Sequence, residues 1–218
     1  MACSDLRKLC PRSSIIIGLL MILGCAPKYE YFDDTVRRTW QSCLVCHSTV
    51  EMQRGPRLEH LPPWYLERQI HKFLDGHRGA DSANRSEFLM GTAVKNVDRI
   101  LDVAALTRYI AQQPKMPPLQ SIDGDVTHGR AMYKARCASC HRDGDGSRML
   151  KSPPLIGLDD WYLYDQLRKF RDRKRGYHDD DKEGITMGVA VQGMTDDQFR
   201  DIVAFILAEL NPDPNSDE

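Results

Sequence analysis

Two short runs restrict what this chain can become. Cys43-Leu44-Val45-Cys46-His47 and Cys137-Ala138-Ser139-Cys140-His141 share the pattern C-x-x-C-H and begin 94 residues apart. Two thiols at this spacing reach the two vinyl groups of one haem, and the histidine that follows then stands under the iron as its proximal ligand. A single such run also suits half of a zinc site or a redox dithiol. Two copies, each closed by a histidine, favour two covalently held haem c groups over either alternative. Each half of the chain must then fold around its own ring.

The chain of 218 residues holds seven cysteines. The three outside these runs, Cys3, Cys10 and Cys25, fall at the amino terminus, so the body has no spare pair for a structural disulfide. Arg7, Lys8 and Arg12 precede an apolar run from Ile15 to Leu23. That length suits the apolar part of an export signal and is too short for a comfortable membrane span. The run ends in Ile22-Leu23-Gly24-Cys25, which resembles a bacterial lipobox. The reading is a lipoprotein-type signal peptide over residues 1–24, with Cys25 as the lipidation site. An ordinary signal cut near Gly24 or Ala26 is the alternative. Charged residues make up 28 % and the net charge is −1, so composition suggests neither disorder nor nucleic-acid binding. Loss of residues 1–24 leaves −3 on the mature chain.

The rest of the chain is one unit written twice. Trp64 to Gly79 aligns with Trp161 to Gly176, and nine of the sixteen positions are identical. Met90-Gly91-Thr92-Ala93-Val94 pairs with Met187-Gly188-Val189-Ala190-Val191, and Gly55-Pro56-Arg57-Leu58 pairs with Ser152-Pro153-Pro154-Leu155. The offset grows from 94 to 97 through three extra residues between His141 and Trp161. A repeat of this length is a duplicated domain. The expected organisation is a first domain over 25–116, a linker at 117–124, a second domain over 125–210 and a disordered tail at 211–218.

Each copy reads as helices joined by loops. Asp33 to Cys46 suits a first helix that ends in the cysteine motif. Pro62-Pro63 and Asp159-Asp160 suit the first turn of a middle helix. Phe199, Ile202, Val203, Ile206 and Leu210 share one face of a closing helix, and Thr195 with Gln198 has the form of a capping box. Ile100, Val103, Ala104, Thr107 and Ile110 make a weaker stripe in the first copy, with Asp98 as its expected cap. Gln113 to Pro118 ends that helix. No stretch alternates in a way that demands a sheet. The fold class is all-α. Domains of about ninety residues have thin apolar cores, and a buried haem would serve as the centre of each.

These residues resemble tandem class I cytochrome c domains, and most of all the dihaem cytochrome c4 group, over nearly the whole chain after residue 32. Gly129 and Tyr133 match the family's first-helix glycine and aromatic, and Phe205 matches the aromatic of the closing helix. In the first copy Thr35 and Thr39 stand at those places, and Trp40 takes the aromatic role. The resemblance implies Met90 and Met187 as the sixth ligands. They lie 43 and 46 residues beyond their histidines, on a loop before the closing helix. It also implies that the Pro56 and Pro153 carbonyls hold the rings of His47 and His141. Met52 and Met149 have no repeat partner. Arg78 and Arg175 suit either haem propionates or solvated helix ends. His60, His71, His77, His128 and His178 lack repeat-matched partners and read as surface residues. The stretch Arg171 to Arg175 is either a docking patch or a mixed solvated loop.

The function implied is an exported dihaem electron carrier that passes single electrons between respiratory redox partners. With both axial positions filled, neither iron keeps an open site, so the chain reads as a carrier and not as an enzyme. The alternative is a dedicated cytochrome subunit of a periplasmic dehydrogenase or reductase complex. A dihaem peroxidase or thiosulfate dehydrogenase would need an open or unusual ligand site. Partners are redox proteins and a membrane surface reached through the lipid. The location is the periplasmic side of a bacterial membrane.

Overall fold

The computed structural model describes residues 31–48, 54–97 and 102–211. A compact unit begins at Phe32 and includes both copies. In the first copy the helices are α1 (Asp34–His47), α2 (Pro63–Leu74), α3 (Arg85–Lys95) and α4 (Val103–Ala111). In the second they are α5 (Val126–Arg136), the short α6 (Ala138–His141), α7 (Asp160–Arg171), α8 (Lys182–Val191) and α9 (Asp196–Phe205), which runs on into a π-helical turn at Ile206–Leu210. Among the described residues the only β pairing is an isolated bridge between Ser147 and Ser152.

The helix starts follow from local chemistry. The Asp33 carboxylate accepts the Val36 N–H, the Asp125 carboxylate accepts from Thr127 and His128, and Pro63 opens α2 at a position where no N–H is needed. Thr195 and Gln198 form the reciprocal capping box expected of them. Each such cap is worth about 1 kcal/mol. Helix α4 is capped by Asp102, whose carboxylate accepts the Ala105 N–H, and so starts later than the stripe suggested. Asp98 and Ile100 lie outside the described residues, as do Cys25, the signal segment and Met52.

Helices α3 and α8 correct one expectation. Met90 and Met187 stand within helices, not on loops. The Asp181 carboxylate, which accepts the Gly184 N–H, starts α8 soon after the acidic run. The carboxy-terminal boundary also moves. Asn211 accepts the Gly157 N–H at 2.7 Å and donates to the Ile206 carbonyl at 3.0 Å, so it belongs to the fold and not to a loose tail. Residues 212–218 lie outside the described residues.

In the second copy α5 packs across α9. Tyr133 and Phe205 meet there with ring centroids 5.3 Å apart. Phe199, Ile202, Val203 and Ile206 are buried, and Leu210 packs at the edge of the same core. Burial of side chains of this size contributes about 1.5–3 kcal/mol each. In the first copy α1 packs on α4 without that glycine–aromatic arrangement. Trp40 and Val36 are buried, and Phe32 meets Tyr109 edge-on at 5.1 Å. One buried apolar cluster runs through both copies and includes Leu61, Tyr65 and Leu66 together with Leu158, Tyr162 and Leu163.

Candidate functional site

The second copy brings its chemistry-bearing residues to one cavity. Cys137, Cys140, His141 and Met187 all line it, although 46 residues separate His141 from Met187. Leu155, Leu158, Leu163, Leu167, Val191 and Ile206 supply apolar wall, and α2 of the first copy contributes Tyr65, Arg68, Gln69 and Lys72. The wall is thus shared between the halves.

Both histidines are held in the same way. His47 Nδ1 lies 2.6 Å from the Pro56 carbonyl and His141 Nδ1 lies 2.9 Å from the Pro153 carbonyl. A nitrogen facing a carbonyl carries the proton, which leaves Nε2 with its lone pair for a metal. Burial pushes both imidazoles below their ordinary pKa and outweighs the proline carbonyls, which act the other way. The rings are therefore neutral, as ligation requires. Gly55 presses on the His47 ring so closely that a β-carbon there would sit 2.7 Å from Cε1. A side chain at residue 55 would make the ring or the loop shift, whereas in the second domain the matched Ser152 carries one and Pro153 still reaches its histidine.

The turn after His141 is strained and tied down. Arg142 adopts φ 51°, unusual for a residue with a β-carbon, and the Tyr133 hydroxyl donates to its carbonyl at 2.9 Å. Ser152 Oγ donates to the Cys140 carbonyl at 2.6 Å. Burial pushes the Cys43 thiol up to about 11 and the Cys137 thiol up to about 12. Such thiols have little of the thiolate character of a redox dithiol.

The residues present fit a covalently held haem: two thiols, an oriented neutral imidazole and a thioether share one apolar crevice with a polar edge. Bound there, haem supplies an iron that exists in two oxidation states one electron apart. In the first copy Cys43 is half-buried, Cys46 is exposed, His47 is buried and Met90 is half-buried on α3.

Residues 126–208 match the family model for cytochrome c. That half is a cytochrome c domain, and the first half repeats it. The chain is similar to cytochrome c4 of Acidithiobacillus ferrooxidans, with a TM-score of 0.61 and 25 % identity over 77 % of this chain and 98 % of that one. Cytochrome c4 of Pseudomonas stutzeri, at 17 % identity and TM-score 0.57, covers 98 % of its own length and shares the fold. The thiosulfate dehydrogenase electron acceptor of Thiomonas intermedia (strain K12) is 26 % identical over 185 residues, 78 % of this chain and 80 % of that protein. A thiosulfate dehydrogenase of Marichromatium purpuratum aligns with 76 % of this chain at 26 % identity and TM-score 0.57, but only 36 % of its own length is covered. The chain carries electrons, and its second half is a cytochrome c domain of the kind that holds haem covalently.

The junction between the two cytochrome c domains holds polar residues whose role the sequence reading missed. Arg78 forks onto Glu87 at 2.8 and 3.0 Å, and also donates to Gln69 at 2.8 Å and to Gln166 of the other domain at 3.3 Å. Arg175 donates to Gln166 at 2.5 Å and crosses to the Tyr65 hydroxyl at 2.8 Å and Gln69 at 3.1 Å. Both arginines are only 7 % exposed, so neither is a solvated helix end. Arg175 also lines the second-domain crevice. A signal was available: both glutamines and both arginines are among the identical positions of the sixteen-residue repeat.

Asp159 and Asp160 do more than open α7. Asp159 pairs with Arg57 of the first domain and accepts the Leu119 N–H at 2.8 Å. Asp160 accepts the N–H groups of Ser121 and Ile122. The linker is thereby clamped to α7. The basic stretch is largely used internally. Arg171 pairs with Asp172 and Asp196 and lies over the Phe199 ring, and Arg175 is buried, so only Arg173 and Lys174 face solvent.

Proposed function

We propose that the chain is an exported dihaem c-type cytochrome that passes single electrons between respiratory redox partners. In this reading Cys43, Cys46 and His47 hold one haem with Met90, and Cys137, Cys140 and His141 hold the other with Met187. The observation that carries it is the convergence of Cys137, Cys140, His141 and Met187 on one crevice. The matched histidine–proline contacts in the first domain support the same plan there. Cysteine side chains fix each ring, the proline carbonyls orient the imidazoles, and the apolar walls exclude water. The test is haem stoichiometry on the intact protein, before and after denaturation and acidified-solvent extraction. Two equivalents per chain that resist extraction are expected. Release of one equivalent overturns the two-site reading.

A second reading has its own support. The relative from Thiomonas intermedia is an electron acceptor of thiosulfate dehydrogenase, so the donor here is proposed to be a thiosulfate-oxidising enzyme, with this chain as its dedicated cytochrome subunit. A complex that survives purification at high salt supports the subunit reading; dissociation supports a mobile carrier.

The proposed location is the periplasmic side of a bacterial membrane, with Cys25 lipidated. The apolar run that ends in Gly24-Cys25 supports the anchor. Among the described residues no helix is long and apolar enough to cross a membrane.

A further inference from the structure

Away from the crevice, the junction gathers a second group of metal-ligating side chains. His77 follows α2 in the first domain; His178 and Asp180 lie between α7 and α8 in the second. The two imidazoles stack, with centroids 4.1 Å apart and planes 24° from parallel. Asp180 Oδ2 lies 3.9 Å from His77 Nε2 and 3.7 Å from His178 Nδ1. One donor atom from each of the three falls within 4.8 Å of the others.

Neither histidine belongs to the duplicated plan. At the offset of 97, His77 corresponds to Lys174 and His178 to Asp81. The pair exists only where the two domains meet. His60 and His128 lie apart from it, held by the Met116 carbonyl at 2.7 Å and the Asp201 carboxylate at 2.6 Å. His178 Nδ1 accepts the Asp180 N–H at 3.2 Å, so in the neutral ring its one lone pair points at that N–H, and an ion bound through Nδ1 must displace it.

We propose that His77, His178 and Asp180 form a divalent-metal site that joins the two domains, suited to an imidazole-preferring ion such as Zn²⁺. Two imidazoles and a carboxylate are a donor set that zinc accepts. Bonds of about 2.0–2.1 Å at a tetrahedral angle put neighbouring donors about 3.3 Å apart. The observed 3.7 and 3.9 Å separations, and donor spacings within 4.8 Å overall, need a closure together with rotation of the stacked rings so that their in-plane lone pairs converge, and the 72 % exposed Asp180 side chain is free to follow them. Three protein ligands leave a fourth position for water. Because the ligands come from both domains, the ion binds fully only when the two loops are together, and so stabilises the junction by mass action.

The experiment uses the haem-loaded full chain without a histidine tag, with Zn²⁺ alone as the probe. Calorimetric titration at neutral pH should show one saturable equivalent, and the thermal midpoint should rise with free Zn²⁺. His77→Gln and His178→Gln should each abolish that saturable binding while leaving the haem absorption spectrum unchanged. Asp180→Asn should weaken it by about tenfold or more. His71→Gln, which alters an exposed histidine outside the group, should bind as the unaltered chain does. Absence of saturable binding, or binding that persists in both His77→Gln and His178→Gln, overturns the proposal.

Discussion

Gly129 on α5 lies against the backbone carbonyl of Asp201 on α9 with no room for a β-carbon between them. The helices cross at that point, and the Tyr133–Phe205 contact forms one turn further along. Gly129→Ala must push backbone from backbone, which no rotamer change relieves. The expected cost is about 3 kcal/mol, the upper part of the range for overpacking. Denaturant unfolding of the haem-loaded protein should show a lower midpoint with little change in slope. Thr35→Ala at the matched place in α1 should have a much smaller effect, because the first domain lacks this close crossing.

The two methionines of the second domain separate ligand from core. Met187 lines the crevice, whereas Met194 is buried and corresponds to Val97 in the first domain. Met187→Ala should open the sixth position of one haem only: that iron turns high-spin or takes water, its potential falls, and imidazole binds. Met194→Leu should keep both spectra and cost less than about 1.5 kcal/mol. The reverse pattern in visible spectra and redox titration refutes the assignment.

Arg78 and Glu87 are a buried pair. Coulombic attraction and the hydrogen bonds from Arg78 overcome burial and hold the Glu87 carboxyl below the usual range. Arg78→Ala strands that carboxylate and removes the donor that Gln166 shares across the junction. A loss of about 3–5 kcal/mol is expected. Adding Glu87→Gln should recover part of it, and a double-mutant cycle measures the coupling.

Glu183 joins the domains through Arg68 at 2.7 Å and also meets Lys151 at 2.8 Å. Burial alone would raise its carboxyl, but the hydrogen bonds from Lys151 and Arg68 outweigh it and hold the pKa at about 2, against an ordinary 4.5. A depressed carboxyl stabilises the fold above its unfolded pKa and loses that contribution as the pH falls toward the folded value. The stability gap between the native chain and Glu183→Gln should therefore be full above pH 4.5 and shrink between 4.5 and about 2. Unfolding curves across that window, at low salt, provide the check.

Cys25→Ser, with the rest of the signal intact, should abolish incorporation of labelled fatty acid and block normal maturation. An unmodified mature amino terminus on the native chain, read by mass spectrometry, counts against the anchor.

Local chemistry was legible in the residues alone. Two C-x-x-C-H runs and a duplicated block determined an all-helical, two-part chain. The Thr195–Gln198 capping box and the buried face of α9 depend on positions three and four residues apart, so a one-dimensional pattern carries them. The matched placing of Pro56 and Pro153 was also readable, because both lie within twelve residues of their histidines. Met90 and Met187 were singled out through repetition, but their helices were missed, since α3 and α8 carry only a weak apolar stripe. Tertiary structure decided what the polar residues do. Arg78 and Arg175 suited haem propionates or solvated helix ends equally, because nothing nearby in the chain says that Gln166 and Tyr65 will close over them. Asp159 and Asp160 looked like helix-opening acids, and only the return of the linker at Leu119 and Ser121 gave them their partners. His77 and His178, 101 residues apart, became neighbours because their loops meet at the junction of the two domains. Polar contacts across a junction have no periodicity, so their meaning appears only when the chain has folded.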